Sequence, residues 1–296
     1  MTQILLLGLI AVGLISARAR ILDEHAHTAL TDLILDVFLP CSILSSFFGT
    51  RRSQILSMGI VMAISLGILT ISFLLGKYLL YRRAGTEQKK VLLYATIITN
   101  ASFIGNPVIG SIYGHAALMY AAIYLVPLRI ALWTVGLIIF TGGKGNWKKV
   151  ALHPCLIATY VGIILMLAEI DPPALVQRFV FTIGECATPL SMMVVGCVLG
   201  LVKGRDLFSG LTFYFSFIRL ILIPLMVVGA LAILRPDPVI SGVSVILCGT
   251  PAAVTTSILA GKYKADNELA GKIIFVSTLL SIVTIPFLVW LLRKAM

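Results

Sequence analysis

Hydrophobic residues in this chain fall in long runs broken by short polar segments, not in the alternating pattern of a half-buried strand. A helix needs roughly 17–25 mostly apolar residues to cross a bilayer's hydrocarbon core. Read this way, the chain offers ten spans: 3–17, 28–48, 55–80, 91–113, 116–140, 151–169, 175–201, 208–234, 239–260 and 270–292. The first is short and extends past Arg18 if that side chain snorkels. Breaks carry Gly, Pro and charge, as in Gly142-Gly143-Lys144-Gly145, Asp171-Pro172-Pro173 and Arg235-Pro236-Asp237-Pro238. The expected fold class is an all-α membrane protein with ten transmembrane helices. Ala17-Arg18-Ala19 has the look of a signal-cleavage site. No basic residue precedes that first run, however, and it is read as a span.

Ten spans divide into five and five, as repeats 1–148 and 149–296. Five is odd, so the second repeat enters the membrane in the opposite sense, giving an inverted repeat. Two internal matches support this. Gly105-Asn106-Pro107 in span 4 pairs with Gly249-Thr250-Pro251 in span 9, about half the chain away. An acid four residues before a proline recurs in spans 2 and 7, as Asp36…Pro40 and Glu185…Pro189.

Proline in a helix removes an N–H, so Pro107 frees the carbonyl of Phe103 and Pro251 that of Leu247. Lipid cannot hydrate such groups, and breaks at matching places in two halves point to a transporter's binding site. Half-helix N-termini there would suit a carboxylate. Asn100, Asn106, Thr250 and Thr255 supply neutral polar groups around Gly105, Pro107, Gly249 and Pro251. The competing reading is a kinked packing interface, with these side chains bonding neighbouring helices.

Charges inside spans are costly and therefore candidates for function. Arg129 in span 5 and Arg219 in span 8 are candidates for attracting an organic anion or for pairing with acids that hold helices together. Asp36 and Glu185 are the candidate acids, for such pairing or for proton or sodium coupling.

Composition narrows the class. With 59% hydrophobic and 12% charged residues, little polar surface remains for a soluble domain. The +11 net charge does not imply nucleic acid, because the basic residues sit in short loops. Arg82, Arg83, Lys89, Lys90, Lys144, Lys148, Lys149, Lys203, Arg205, Lys262 and Lys264 gather on one side, which places both termini outside. Five cysteines with no C-x-x-C indicate neither a disulfide framework nor a metal site. His25 and His27, beside Asp23 and Glu24, read as a solvated loop. No H-E-x-x-H or G-x-S-x-G occurs, so neither an enzyme nor a cofactor is expected.

Thr99-Asn100-Ala101-Ser102-Phe103-Ile104-Gly105-Asn106-Pro107 resembles the fourth-helix pattern of the auxin efflux carrier family. So do Gly249-Thr250-Pro251-Ala252-Ala253, Ala260-Gly261-Lys262-Tyr263 and Ser277-Thr278-Leu279-Leu280-Ser281 near the C-terminus, and Thr188-Pro189-Leu190-Ser191 in span 7. The resemblance implies a fold similar to the bile-acid and sodium–proton carriers. It implies a scaffold of helices 1, 2, 6 and 7, and a transport unit of helices 3–5 and 8–10. Helices 4 and 9 would cross at their prolines. It further implies elevator-type alternating access, a homodimer through the scaffold and, for a compact bacterial form in the cell inner membrane, a mono- or dicarboxylate substrate such as malate or malonate. The auxin substrate of plant members is not implied, since the long loop of many plant members is missing. Alternatives from other classes are a passive anion channel, a cation-coupled carrier of another small solute and a membrane sensor.

Overall fold

The structure, a computed structural model, describes residues 2–49, 52–80, 85–141, 152, 154–201, 208–253 and 255–295. The glycine-rich loop 142–145 and the basic residues Arg82, Arg83, Lys144, Lys148, Lys149, Lys203 and Arg205 lie outside these. Among the described residues every regular element is helical.

Six helices are long and apolar enough to cross a membrane: His25–Ser46, Ile55–Leu79, His115–Leu132, Ala174–Cys197, Gly210–Leu234 and Asn267–Ala295. They match expected spans 2, 3, 5, 7, 8 and 10. Shorter apolar helices Gly8–Arg18, Pro154–Ala168 and Pro238–Cys248 fall in spans 1, 6 and 9. Span 4 is divided. The chain is thus a multi-pass, all-helical membrane protein.

By chain order, α1 is Thr2–Arg18. α2 (Glu24–Leu33) passes through a π-helical turn, Ile34–Phe38, into α3 (Leu39–Ser46). α4 is Ile55–Leu75, α5 Thr86–Ile97, α6 Asn106–Tyr113, α7 Leu118–Trp133 and α8 Val135–Thr141. α9 is Pro154–Ala168, α10 Ala174–Glu185 and α11 Ala187–Leu201. α12 (Gly210–Phe217) passes through a further π-helical stretch, Ile218–Leu222, into α13 (Ile223–Leu234). α14 is Pro238–Cys248, α15 Thr255–Lys262 and α16 Asn267–Ala295.

Local chemistry sets several of these boundaries. Asp23 accepts from the Ala26 N–H at 2.8 Å and caps α2. His25 and His27 therefore sit in the first turns of a helix, correcting their reading as loop residues. Asp237 accepts from Val239 and Ile240 at 2.8 and 3.3 Å, with Pro238 at the first helical position of α14. Arg235 takes a left-handed φ of 47° and closes α13.

The chain folds as two compact units. The first is Met1–Met62, Ser102–Val126 and Lys148–Leu201; the second is Ala63–Ala101, Pro127–Trp147 and Val202–Met296.

In the first unit, α1 packs along α11. The contact needs glycine: a Cβ on Gly13 would overlap the Met193 carbonyl, and one on Gly196 the Ile10 carbonyl. Gly200, one turn on, would meet Ala17 Cβ at 2.8 Å. Gly196-x-x-x-Gly200 is the small-residue stripe that lets membrane helices approach backbone to backbone, where van der Waals contact replaces the hydrophobic effect. Similarly, α10 crosses α3 where a Cβ on Gly184 would lie 2.8 Å from Ser42 Cα. α6 packs on α1 and α11.

The second unit is built around α16, which contacts α5, α12, α13, α14 and α15. Its 29 residues carry Pro286 without a break. Inward residues such as Ile273, Ile274, Val276, Leu288 and Val289 are buried.

Candidate functional site

The candidate site lies in the second unit, where two helices stop and restart. α5 ends at Ile97, and Ile98 turns extended, at φ −99° and ψ 118°. α14 ends at Cys248, and helix resumes only at Thr255. The two unwound segments pair with each other. The Asn100 N–H donates to the Pro251 carbonyl at 2.8 Å, and the Ala253 N–H to the Ile98 carbonyl at 3.3 Å. Thr99 and Ala252 form an isolated antiparallel bridge between these bonds. Backbone groups that would otherwise be orphaned in an apolar medium thus satisfy one another.

Other residues hold this crossing in place. Ser277 of α16 accepts from the Ala252 N–H at 3.3 Å and donates to the Ile273 carbonyl at 2.7 Å. The Thr250 hydroxyl donates to the Leu247 carbonyl at 2.7 Å. That is the carbonyl Pro251 leaves without its helical donor, so Thr250's one proton is used inside the break and only its lone pairs remain for a ligand. Gly249 has ordinary torsions (φ −77°, ψ 1°), so an unusual backbone angle does not explain the glycine. Close approach does: a Cβ there would lie 2.8 Å from Leu288 Cδ1.

Thr255 opens α15. It accepts from the Tyr94 hydroxyl at 2.9 Å and keeps its own proton free to donate. Tyr94 is fully buried, edge-on to Phe140 with ring centroids 5.3 Å apart, and Phe140 stacks on Tyr263. The ring fits because position 136 is glycine; a Cβ there would lie 2.7 Å from Tyr94 Cε2.

Two arginines of this unit are buried within spans, Arg129 to 7% exposure and Arg219 to 2%. Arg129 Nη1 and Nη2, and Arg219 Nε and Nη1, have no partner among the described residues. The described ion pairs are Lys90–Glu87 and Lys272–Glu268, at helix ends. Pairing of Arg129 or Arg219 with Asp36 or Glu185 is therefore not observed among the described residues. Arg219 instead reaches the sulfur of Cys248, the residue before Gly249.

The remaining expected residues belong to the first unit. Gly105 and Pro107 flank Asn106, which opens α6; Asn106 Oδ1 is buried without a partner among the described residues. Asp36 lies in the π-helical turn before α3, and Glu185 ends α10; both are exposed. The sequence thus points to the crossing through Gly249, Pro251, Asn100, Thr250 and Thr255, whereas Gly105 and Pro107 lie in helix beyond it. It does not reveal Tyr94 or the pairing role of Ser277. Tyr94 sits in an unremarkable apolar run, and its relevance rests on a contact across 161 positions. Ser277 was visible as part of a Ser-Thr-x-x-Ser motif, though not as a hydrogen-bond acceptor.

A family model described as "Membrane transport protein" matches the chain twice, over residues 1–149 and 143–289. A protein of Methanothermobacter thermautotrophicus named "Uncharacterized transporter" is 28% identical over 291 residues, covering 96% of this chain and 95% of its own. A protein of Rhizobium meliloti named "Putative malonate transporter" is 23% identical over 306 residues, covering 97% and 93%. The double match spans both halves, each contributing one broken helix to the pattern, and on it the chain belongs to the membrane transport protein family, the auxin efflux carrier group its sequence resembles.

Proposed function

We propose that this protein is a secondary carrier for a small organic anion, a mono- or dicarboxylate, working by alternating access. The observation that carries the reading is the crossing in the second unit. Two helices are broken, their backbones are tied to each other by the Asn100–Pro251 and Ala253–Ile98 hydrogen bonds, and buried uncompensated arginines occupy the same unit. A packing kink needs the breaks but not the unpaired charge, which costs several kcal/mol. An anion gives both a purpose. It would accept from the Thr255 hydroxyl and the N-terminal N–H groups of α15, with Asn100 beside it and Arg129 supplying charge. The malonate in one relative's name agrees with a carboxylate.

In this reading the chain is two inverted five-helix repeats in the cell inner membrane. Helices 3–5 and 8–10 move elevator-fashion against a scaffold of helices 1, 2, 6 and 7 that also forms the dimer contact, and both termini lie outside. Asp36 and Glu185 are the groups for proton or sodium coupling.

The test is uptake and counterflow of radiolabelled malonate and propionate in proteoliposomes holding the purified protein. A carrier gives saturable uptake that is accelerated by unlabelled substrate inside. Ohmic anion current without counterflow would establish the channel instead, and no flux of any carboxylate would overturn the reading.

A further inference from the structure

Arg219 stands out because nothing in the mechanism above uses it. Pro224 removes the N–H that would bond the Leu220 carbonyl. Just before it the helix widens into the π-helical turn Ile218–Leu222, and Ile218, Arg219 and Leu220 are all buried there. Such turns recur at functional sites. The guanidinium reaches Cys248 Sγ, and its Nε and Nη1 are unpartnered among the described residues.

The surroundings are polar in a directed way. Cys248 shares one face of α14 with Ser244 and Ser241, one and two turns back. Both serines are fully buried and neither hydroxyl has a partner among the described residues. Ser216, three residues before Arg219, is likewise buried and unpartnered. The row of serines on α14 ends at Cys248, which the guanidinium reaches and where the unwound segment Gly249-Thr250-Pro251 begins.

No described acid of this unit answers the charge. The described acids of this unit are all engaged elsewhere. Asp237 caps α14, Asp266 takes Gln88 Nε2 and the Leu269 N–H, Glu87 pairs with Lys90 and Glu268 with Lys272. An arginine does not escape by losing its proton.

We infer that Arg219, with Ser244 and Ser241, forms a second anion subsite, which takes one carboxylate of a dicarboxylate while the crossing takes the other. The inference rests on the carboxylate-carrier reading and narrows its substrate to a short dianion. Arg219 reaches Cys248, the residue directly before the unwound segment, so the second subsite borders the crossing, as a short diacid requires.

The experiment compares malonate and succinate with acetate and propionate as ligands of the purified full chain in nanodiscs, by calorimetry. Wild type is expected to bind malonate at least about tenfold more tightly than acetate, the scale of charge-assisted hydrogen bonds. Malonate binding should weaken as pH falls through its second ionisation. Arg219→Gln should lose that preference and that pH dependence while acetate binding stays within about threefold. Arg219→Lys keeps the charge and should retain part of the preference, which keeps the test open if the Gln variant does not fold. A malonate preference that survives Arg219→Gln overturns the subsite, as does an equal loss of malonate and acetate. Wild type that binds acetate and propionate but no diacid overturns the subsite and leaves the carrier standing. Wild type that binds no carboxylate overturns both.

Discussion

Tyr94→Phe tests whether the crossing depends on a single buried hydrogen bond. The substitution deletes one oxygen and leaves the ring in its slot over Gly136 and edge-on to Phe140. What disappears is the 2.9 Å bond to Thr255 Oγ1. A neutral hydrogen bond contributes a net 0.5–1.5 kcal/mol or so, and Thr255 is only half-buried, so its oxygen avoids the full penalty of an orphaned group. The expected cost is therefore about 1 kcal/mol, or roughly 2–4 °C in apparent melting temperature for a chain of this size. Thr255→Val should cost a similar amount. Because both changes remove the same bond, the double variant should be less destabilised than the sum, with a coupling of about 1 kcal/mol. Melting curves of the four purified proteins in one detergent give the cycle. Counterflow should fall in Tyr94→Phe, since the hydroxyl fixes the start of α15, and further in the double variant, which also loses the Thr255 donor proposed for the anion. Additive stabilities would show that the bond contributes nothing, and unchanged counterflow in Tyr94→Phe would remove it from the positioning of the site.

Other substitutions probe separate links. Gly196→Val should drive a branched side chain into the Ile10 carbonyl of α1, costing at least about 3 kcal/mol, and should show as lost monodisperse protein on size exclusion. Arg129→Gln should cut carboxylate affinity by about tenfold or more while keeping or raising thermal stability, because it deletes a buried charge with no carboxylate partner among the described residues. Unfolding of that variant would assign Arg129 a structural role. Asn106→Leu removes a buried unpartnered oxygen, so stability should hold within about 1 kcal/mol while uptake falls; full uptake would take Asn106 out of the site. Glu185→Gln should alter the pH or sodium dependence of uptake, and a profile unchanged in both excludes it from coupling.

The membrane fold was readable because hydrophobic runs of spanning length leave few other solutions. The sequence also located the break at Pro251, since proline's missing N–H is a local property; in span 4 the unwound residues are 98–100, ahead of Pro107, which lies within helix. The sequence was less informative about what satisfies the freed groups. That Thr250 caps Leu247, or that Ser277 receives the Ala252 N–H, depends on three-dimensional neighbours that hydropathy does not encode. The histidine pair at 25 and 27 was misplaced because Asp23 caps a helix that begins ahead of the apolar run.

The short antiparallel pairing of residues 98–100 with 251–253 has an evolutionary consequence. It sets the two halves of the gene in register with each other. A one-residue insertion between Ile97 and Asn100, or between Cys248 and Ala253, would shift which amide meets which carbonyl and strand a polar group in the apolar interior. Loops elsewhere can lengthen or shorten as lineages diverge. These two stretches, far apart in the reading frame, are not free to change length, and a change of length in one is tolerated only if it fits the other.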